Sequence, residues 1–219
     1  MKPKYIQIVS LAATIVAGTA LMTGCGTTAG YKQADKTGAG ATEFREEIIN
    51  GKKAIDNTMT ALGQVAATAN KNPRAAFEQF SKSLANLESA AEKARKRGAE
   101  MKAQGQAYFA QWEKQMNEVK NPEIKHLAMQ QKAKLQATFD NIKKYTEPLK
   151  AQFDPWLSDL KDLRTYLSND LTVTGVDAAK GLFTKTQAEG MEVQKSMNTL
   201  VAELNTIAAA LTPADVKNK

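Results

Sequence analysis

The sequence predicts an all-α protein, an elongated antiparallel four-helix bundle or coiled coil with a protruding hairpin made by its second and third helices. Three observations predict this fold. The chain is rich in Ala, Lys, Gln, Glu, Leu and Met, which are good helix formers. Apolar residues recur at alternating spacings of three and four, a period typical of left-handed supercoiled packing. Short polar connections divide this pattern into four segments, and short connections force antiparallel neighbours.

Start signals set the bounds of the helices. Asn72 and Asn121 each precede a proline, and an N-cap residue followed by proline at the first helical position is typical of a helix start. Thr174 and Asp177 have the spacing of a capping box. The predicted helices cover residues of about 42–70, 73–119, 122–170 and 175–211, followed by a tail over 213–219.

Two prolines, Pro148 and Pro155, fall inside the third helix, where each removes a backbone donor and favours a kink. The apolar seam continues through both in phase. We expect a bent but continuous helix, with a break and restart at Asp154-Pro155 as the alternative.

Folding the seams against each other through the short turns aligns small residues with large ones, as close packing requires. The predicted partners are Phe44 with Gly98, Trp156 with Gly190, and Gly105 with Leu135. This register predicts a filled core.

The beginning of the chain has the pattern of a secretory signal. Lys2 and Lys4 form a basic start, residues 5–22 form an apolar run, and small residues precede Cys25, the only cysteine. Residues 1–24 are predicted to be removed, and residues 25–40, rich in Gly, Thr and Ala, to form a flexible tether. An uncleaved transmembrane helix is the alternative, because the apolar run is just long enough to span.

The segment before Cys25 resembles the lipobox of bacterial lipoproteins, with Met22 in place of the usual Leu. The resemblance implies a diacylated Cys25 as the new N-terminus, and two chains give stable anchoring. Gly26 follows the cysteine instead of Asp. By the sorting rule of such lipoproteins this favours the periplasmic face of the outer membrane over the inner membrane.

The charge restricts the classes of partner that the protein is expected to bind, and the cysteine content restricts its disulfides. Removing residues 1–24 takes away Lys2 and Lys4 and no acid, so the 30 basic residues become 28 against 23 acidic ones, a net charge of +5. A basic protein beyond a membrane is expected to meet anionic lipid or an acidic partner, not nucleic acid. We therefore expect two partners, the bilayer through acylated Cys25 and an envelope protein. A single cysteine excludes an intramolecular disulfide.

The hairpin tip carries the predicted contact surface. Apolar residues there lie off the seam, where the register leaves no third helix to cover them, and lysines surround them. Exposed apolar groups gathered in one place indicate a partner or a membrane. The predicted contact residues are Phe109, Met116, Ile124, Leu127, Lys114, Lys120 and Lys125. The tip is predicted to dock on a lipid surface or on another protein, unless a crossing angle or a dimer covers it.

No catalytic or metal constellation is recognisable. His126 is the only histidine, and its spacing from Glu123 occurs once, at a helix start, where a bundle core would not receive it. No phosphate loop or nucleophile elbow is present. We predict no cofactor and no enzymatic activity, because acid–base catalysis needs paired groups in a pocket.

Two stretches, residues 108–120 (YFAQWEKQMNEVK) and 147–171 (EPLKAQFDPWLSDLKDLRTYLSNDL), resemble an uncharacterised bacterial family of coiled-coil envelope lipoproteins. The resemblance implies a helical envelope lipoprotein and no site residues. The predicted function is that of a membrane-anchored structural or adaptor bundle. The alternative is a periplasmic holdase that grips unfolded proteins.

Overall fold

The computed structural model describes residues 29–212, apart from the side chain of Ala29. This part of the chain contains no strand and consists of long helices joined by short connections. The helices are α1 (Ala29–Ala67), α2 (Arg74–Glu118), α3 (Pro122–Asn169) and α4 (Val173–Leu211). The predicted all-α bundle is confirmed.

The helices form an antiparallel ring in which each contacts only its neighbours. α1 packs extensively on α2 and on α4, and α3 packs on α4. Contacts between α2 and α3 are sparse, and the two diagonal pairs do not touch. The ring is therefore closed on three sides and loose on the fourth.

The start of α1 is the main departure from the predicted bounds. Residues 29–40, predicted as flexible tether, are helical and lie against α2 and α4. Thr37 is fully buried, and its hydroxyl donates to the Gln33 carbonyl oxygen at 2.8 Å. A Cβ added to Gly38 would lie 3.2 Å from Leu211 Cβ. The glycines of this segment act as small residues that allow close helix packing, not as flexible links.

The caps follow the predicted chemistry at α3 and differ at α2 and α4. Pro73, not Asn72, is the cap residue of α2, although the Asn72 side chain still accepts from the Arg74 backbone N–H at 3.2 Å. The Asn121 side chain accepts hydrogen bonds from the Glu123 and Ile124 backbone N–H groups, at 2.9 and 3.3 Å. The start of α4 lies two residues earlier than predicted, because Thr172, not Thr174, is the cap. Its hydroxyl accepts from Gly175 N–H at 3.1 Å.

Helix α3 runs without a break through Pro148 and Pro155, as the continuous seam predicts. Its fully buried side chains all lie between Leu149 and Leu167. The half of α3 that precedes Pro148 has none. The first proline therefore marks the point at which α3 leaves the closed part of the bundle.

The core centres on Trp156, which is 2% exposed. Its indole N–H donates to the Thr186 carbonyl oxygen at 2.8 Å. A Cβ on Gly190 would lie 3.1 Å from Trp156 Cζ2 and 3.3 Å from Met59 Sδ. The predicted pairing of Trp156 with Gly190 is therefore present, and the same holds for Phe44, whose ring covers Gly98.

Two glycines of α4 provide a matched test of this packing. Gly181 has no heavy atom within 4 Å of an added Cβ, so Gly181→Ala is expected to raise the free energy of unfolding by about 0.5–1 kcal/mol through helix propensity. Gly190→Ala is expected to lower it, by up to about 2 kcal/mol, because overpacking against a hydrogen-bonded Trp156 exceeds that gain. Urea unfolding of both variants measures the difference. Equal stabilisation would show that the Trp156 ring can shift freely.

Candidate functional site

One end of the molecule, here called the tip, combines the start of α1 with the turn between α2 and α3. A Cβ on Gly30 would lie 3.0 Å from the Gln115 side chain, so α1 begins beside the last turn of α2. The helix α4 ends earlier, because Leu211 lies at the level of Gly38. Residues 117–127 form the outermost part of the tip, beyond the start of α1 and the end of α4.

The exposed part of the tip is smaller than the predicted contact surface. Ile124 and Leu127 are 50% and 60% exposed. Lys114 and Lys120 are exposed, and Lys125 is half-buried. These residues surround the α2–α3 turn, as predicted.

Phe109 and Met116, predicted to be uncovered, are both half-buried. The Phe109 ring packs edge-on against Phe139, with centroids 5.4 Å apart. Met116 lines a small cavity together with Gly30 and Tyr31 of α1. The prediction failed for Phe109 because Phe139 of α3 packs against its ring. It failed for Met116 because α1 continues along α2 as a third helix that the sequence did not reveal.

An aromatic cluster fills the space between α1 and α2 below the tip. Tyr108 lies between Phe109 and Trp112, with ring centroids 5.4 and 5.5 Å away. Burial raises the pKa of the Tyr108 phenol to about 12. The buried Trp112 indole N–H has no hydrogen-bond partner in the described part of the chain, and it borders the small cavity of about 220 Å³. The Trp112 side chain as a whole is half-buried.

An apolar cleft lies between α2 and α3. Its volume is about 720 Å³. It runs along α2 from Leu87 to Phe109 and along α3 from Gln136 to Asp154, and side chains of α1 and α4 form its floor. The filled core predicted from the register is therefore wrong on this side. Gly105 faces Phe139, not Leu135, because α3 is displaced by about one turn from the predicted register.

Two ion pairs connect the walls of the cleft near its ends. Arg95 and Asp154 approach to 2.6 Å, with the Arg95 guanidinium 5.8 Å from the Phe153 ring centroid. Lys132 and Glu113 approach to 3.0 Å nearer the tip. Exposed pairs of this kind contribute at most about 1 kcal/mol each. They hold the walls in register without closing the gap.

Metal ligands are not gathered anywhere in residues 29–212. No group of three or more His, Cys, Asp and Glu side chains there could hold an ion. His126 lies exposed on α3, with its Nε2 atom 2.9 Å from Gln130 Nε2. Within the same range, none of the helices combines the length and the apolar character needed to cross a membrane.

Cys25 lies outside the described residues, as do residues 1–24 and the tail. Its distance along the chain is nevertheless fixed. Three residues lie between it and Ala29 at the start of α1, which makes four steps along the chain, and a fully extended chain spans at most about 3.6 Å per step. Cys25 therefore lies within about 14 Å of the start of α1.

A family model described as "Protein of unknown function (DUF2959)" matches residues 28–211. The chain belongs to this family. The match covers the whole of the four-helix bundle and begins one residue before α1. No curated protein and no solved structure matches the chain.

The DUF2959 bundle contains two features that the sequence analysis did not find, the continuation of α1 and the cleft. The first has a readable signal. Extending the seam backwards from Phe44 gives Ala41, Thr37, Ala34 and Gly30, at the same alternating spacing. The cleft has no such signal, because a regular seam on α2 and α3 is compatible with a closed or an open interface.

The buried phenol of Tyr108 predicts a loss of stability at high pH. The pKa of a tyrosine in an unfolded chain is about 10, so between pH 10 and 12 the unfolded state ionises first and is stabilised relative to the folded state. The free energy of unfolding is expected to fall more steeply over this range in the wild type than in Tyr108→Phe. Urea unfolding at several pH values measures both slopes. Identical slopes would mean that the Tyr108 phenol is hydrated in the folded protein.

Proposed function

We propose that this protein is a membrane-anchored envelope lipoprotein that acts as a structural adaptor, with its tip docked on the lipid surface that holds its acylated Cys25. The proposal joins the leader pattern ending at Cys25 to the geometry of the bundle. Of the two contacts expected for the tip, a lipid surface or another protein, we propose the lipid surface.

The observation that carries the proposal is that the start of α1 and the α2–α3 turn lie at the same end. An anchor on Cys25 keeps the start of α1 within about 14 Å of the bilayer surface, and Gly30 lies beside Gln115. The tip extends only a few residues beyond that level. A bundle anchored in this way brings the tip to the membrane without a further binding event.

The chemistry of the tip suits a lipid surface. Ile124 and Leu127 present apolar side chains at the turn, and Lys114 and Lys120 present cations beside them. Apolar residues that enter the headgroup region and cations that attract anionic lipids are the two terms that bind interfacial segments. Both terms are weak individually, and the anchor supplies the effective concentration that makes them sufficient.

The length of the bundle supports an adaptor role. α2 has 45 residues and α3 has 48, which at 1.5 Å per residue gives about 67–72 Å. The end opposite the tip would stand at about that distance from the membrane. This end exposes Val173 and Leu182, which offer an apolar surface for the expected envelope protein.

Gly26 beside Cys25 favours the periplasmic face of the outer membrane as the site of anchoring, by the lipoprotein sorting rule. The inner membrane is the alternative. Exchange of Gly26 for Asp is expected to retain the protein at the inner membrane, and membrane fractionation of intact cells would measure it.

Energy transfer from single tryptophans tests the orientation. Along the helix axes Trp112 lies about 9 Å from the end of α2 at the tip, and Trp156 lies about 51 Å from the start of α3 there. For the full chain reconstituted in vesicles with a dansyl-labelled lipid, Trp156→Phe, which keeps Trp112, is expected to show strong transfer. Trp112→Phe, which keeps Trp156, is expected to show weak transfer. Equal transfer from both tryptophans would mean that the bundle lies flat, and the proposal would fail.

Substitutions at the tip test the docking contact. Burial of one Ile or Leu side chain contributes about 1.5–3 kcal/mol when complete. Ile124→Ser with Leu127→Ser is therefore expected to shift the equilibrium between docked and undocked tip by about tenfold or more, which lowers transfer from Trp112.

The matched control is Leu182→Ser with Met191→Ser, which removes apolar side chains that are 53% and 64% exposed on α4. This control is expected to leave the transfer unchanged. An equal loss in both variants would point to unfolding, and helicity measured by circular dichroism would reveal it.

A holdase is the second candidate function, because a holdase needs accessible apolar surface to bind unfolded chains and the open cleft offers such a surface. A bundle with a filled core would favour the adaptor alone. A holdase would suppress aggregation of a reduced, unfolded model protein at near-equal molar ratio. An adaptor would leave aggregation unchanged. Light scattering with and without the protein separates the two functions.

A further inference from the structure

We propose that the cleft between α2 and α3 binds a single long-chain fatty acid, with the hydrocarbon chain along the cleft and the carboxylate at a pair of rim lysines. The inference does not depend on Cys25 or on the tip. It depends on the shape, the lining and the rim charges of the cleft.

The shape of the cleft is that of one hydrocarbon chain. The lining of α3 extends from Gln136 to Asp154, about 27 Å at 1.5 Å per residue. A bilayer has a hydrocarbon core of about 30 Å, so one acyl chain in one leaflet spans about 15 Å. The cleft is therefore long enough to hold such a chain over its whole length.

The volume of the cleft suits a slender occupant. About 720 Å³ is spread over about 27 Å of helix, so the cleft is long and narrow. A single-chain amphiphile fits such a groove along its length.

The interior of the cleft is mainly apolar and incompletely covered, with the charged residues at its rim. Phe139, Ile142 and Phe153 of α3 are half-buried and face the cleft, while Ala91 and Ala94 of α2 form the opposite wall. Phe44 and Leu200 are buried and belong to the floor. An apolar chain that covers these groups removes their contact with water, which stabilises the complex by about 25 cal/mol for each Å² covered.

The rim supplies the charge for a carboxylate. Lys102 on α2 and Lys143 on α3 both border the cleft, and neither has an ion-pair partner in the part of the chain that the structure describes. The pairs Arg95–Asp154 and Glu113–Lys132 set a register that puts Lys102 opposite residues 143–147 of α3, between Lys143 and Glu147.

The rim also contains acids. Asp140 and Glu147 lie on α3, one turn to either side of Lys143, and Asp154 already pairs with Arg95. The α2 side of the rim carries Arg95 and Lys102 and no acid. A carboxylate between the two walls of the cleft would therefore contact Lys102 on α2 and Lys143 on α3, whose positive charges it would neutralise.

Photo-crosslinking on the full chain tests the proposal. The protein is reconstituted in lipid nanodiscs and irradiated with a palmitate that carries a diazirine on its chain, and peptide mass spectrometry locates the adducts. We expect adducts in residues 91–109 of α2 and 139–153 of α3, competed away by unlabelled palmitate. Adducts confined to residues 5–22 or to the tip would overturn the proposal, because they would report only partitioning into the bilayer.

Variants separate the two parts of the site. Ala94→Phe with Thr146→Phe fills the cleft from both walls and is expected to abolish the adducts. Ala103→Phe adds the same ring to an exposed position of α2 outside the cleft and is expected to leave them intact. Lys102→Gln with Lys143→Gln retains the cavity and is expected to weaken competition by palmitate about tenfold, the loss of one charge-assisted contact.

Two further outcomes would overturn the proposal. Adducts that persist in the filled variant, with its helicity intact, would show that the label does not enter the cleft. A diazirine-bearing diacyl phospholipid that labels the cleft while palmitate does not would assign it to membrane lipid instead. If the filled variant unfolds, the lysine variant alone decides, and unchanged competition in that variant would overturn the assignment of the carboxylate.

Discussion

The close packing of α1 on α2 is the constraint on which the rest of the structure depends. Small residues make it possible, because Gly98 accepts the ring of Phe44 and Gly30 accepts the side chain of Gln115. α1 and α2 therefore lie together from the connection between them to the last turn of α2. This pairing carries the beginning of the described chain to the end where α2 turns into α3. It also fixes α3 to a bundle in which its only extensive partner is α4.

The neighbour that α2 prefers then explains the open side. α2 directs much of its apolar face at α1, and its contacts with α3 are sparse. α4 runs alongside the cleft, and its Met197 and Leu200 line the floor. Phe139 and Ile142 are left half-buried as a result. In a closed bundle such side chains would be covered, since full burial of one contributes about 1.5–3 kcal/mol. The cleft is thus a consequence of the way α2 turns toward α1 and away from α3.

Most of the fold could be predicted because heptads and caps are local signals. The Asn121 cap, the continuity of α3 and the pairs Phe44–Gly98 and Trp156–Gly190 all follow from spacing and residue size. The start of α1 was not predicted because a segment rich in Gly and Thr was interpreted as a flexible loop. Thr37 and Ala34 nevertheless continue the apolar seam of α1. Of the four apolar residues expected at the contact surface, Ile124 and Leu127 are exposed. Phe109 is instead covered by Phe139 of α3, and Met116 by the unrecognised start of α1. The cleft could not be predicted, because the angle between two helices depends on the whole ring and not on either seam.

The geometry relates the two proposed sites to each other. Phe109, at the tipward end of the cleft, lies nine residues before the end of α2, which is about 14 Å along the axis. The headgroup region of one leaflet is only about 5–8 Å thick. With the tip docked, the cleft therefore begins above the headgroups, and an acyl chain still seated in the bilayer cannot enter it. An occupant has to leave the membrane completely, and a single-chain fatty acid does so far more easily than a diacyl lipid, because each buried CH₂ adds about 0.8 kcal/mol to membrane retention. Docking of the tip therefore favours single-chain amphiphiles as occupants of the cleft over the diacyl lipids of the membrane below.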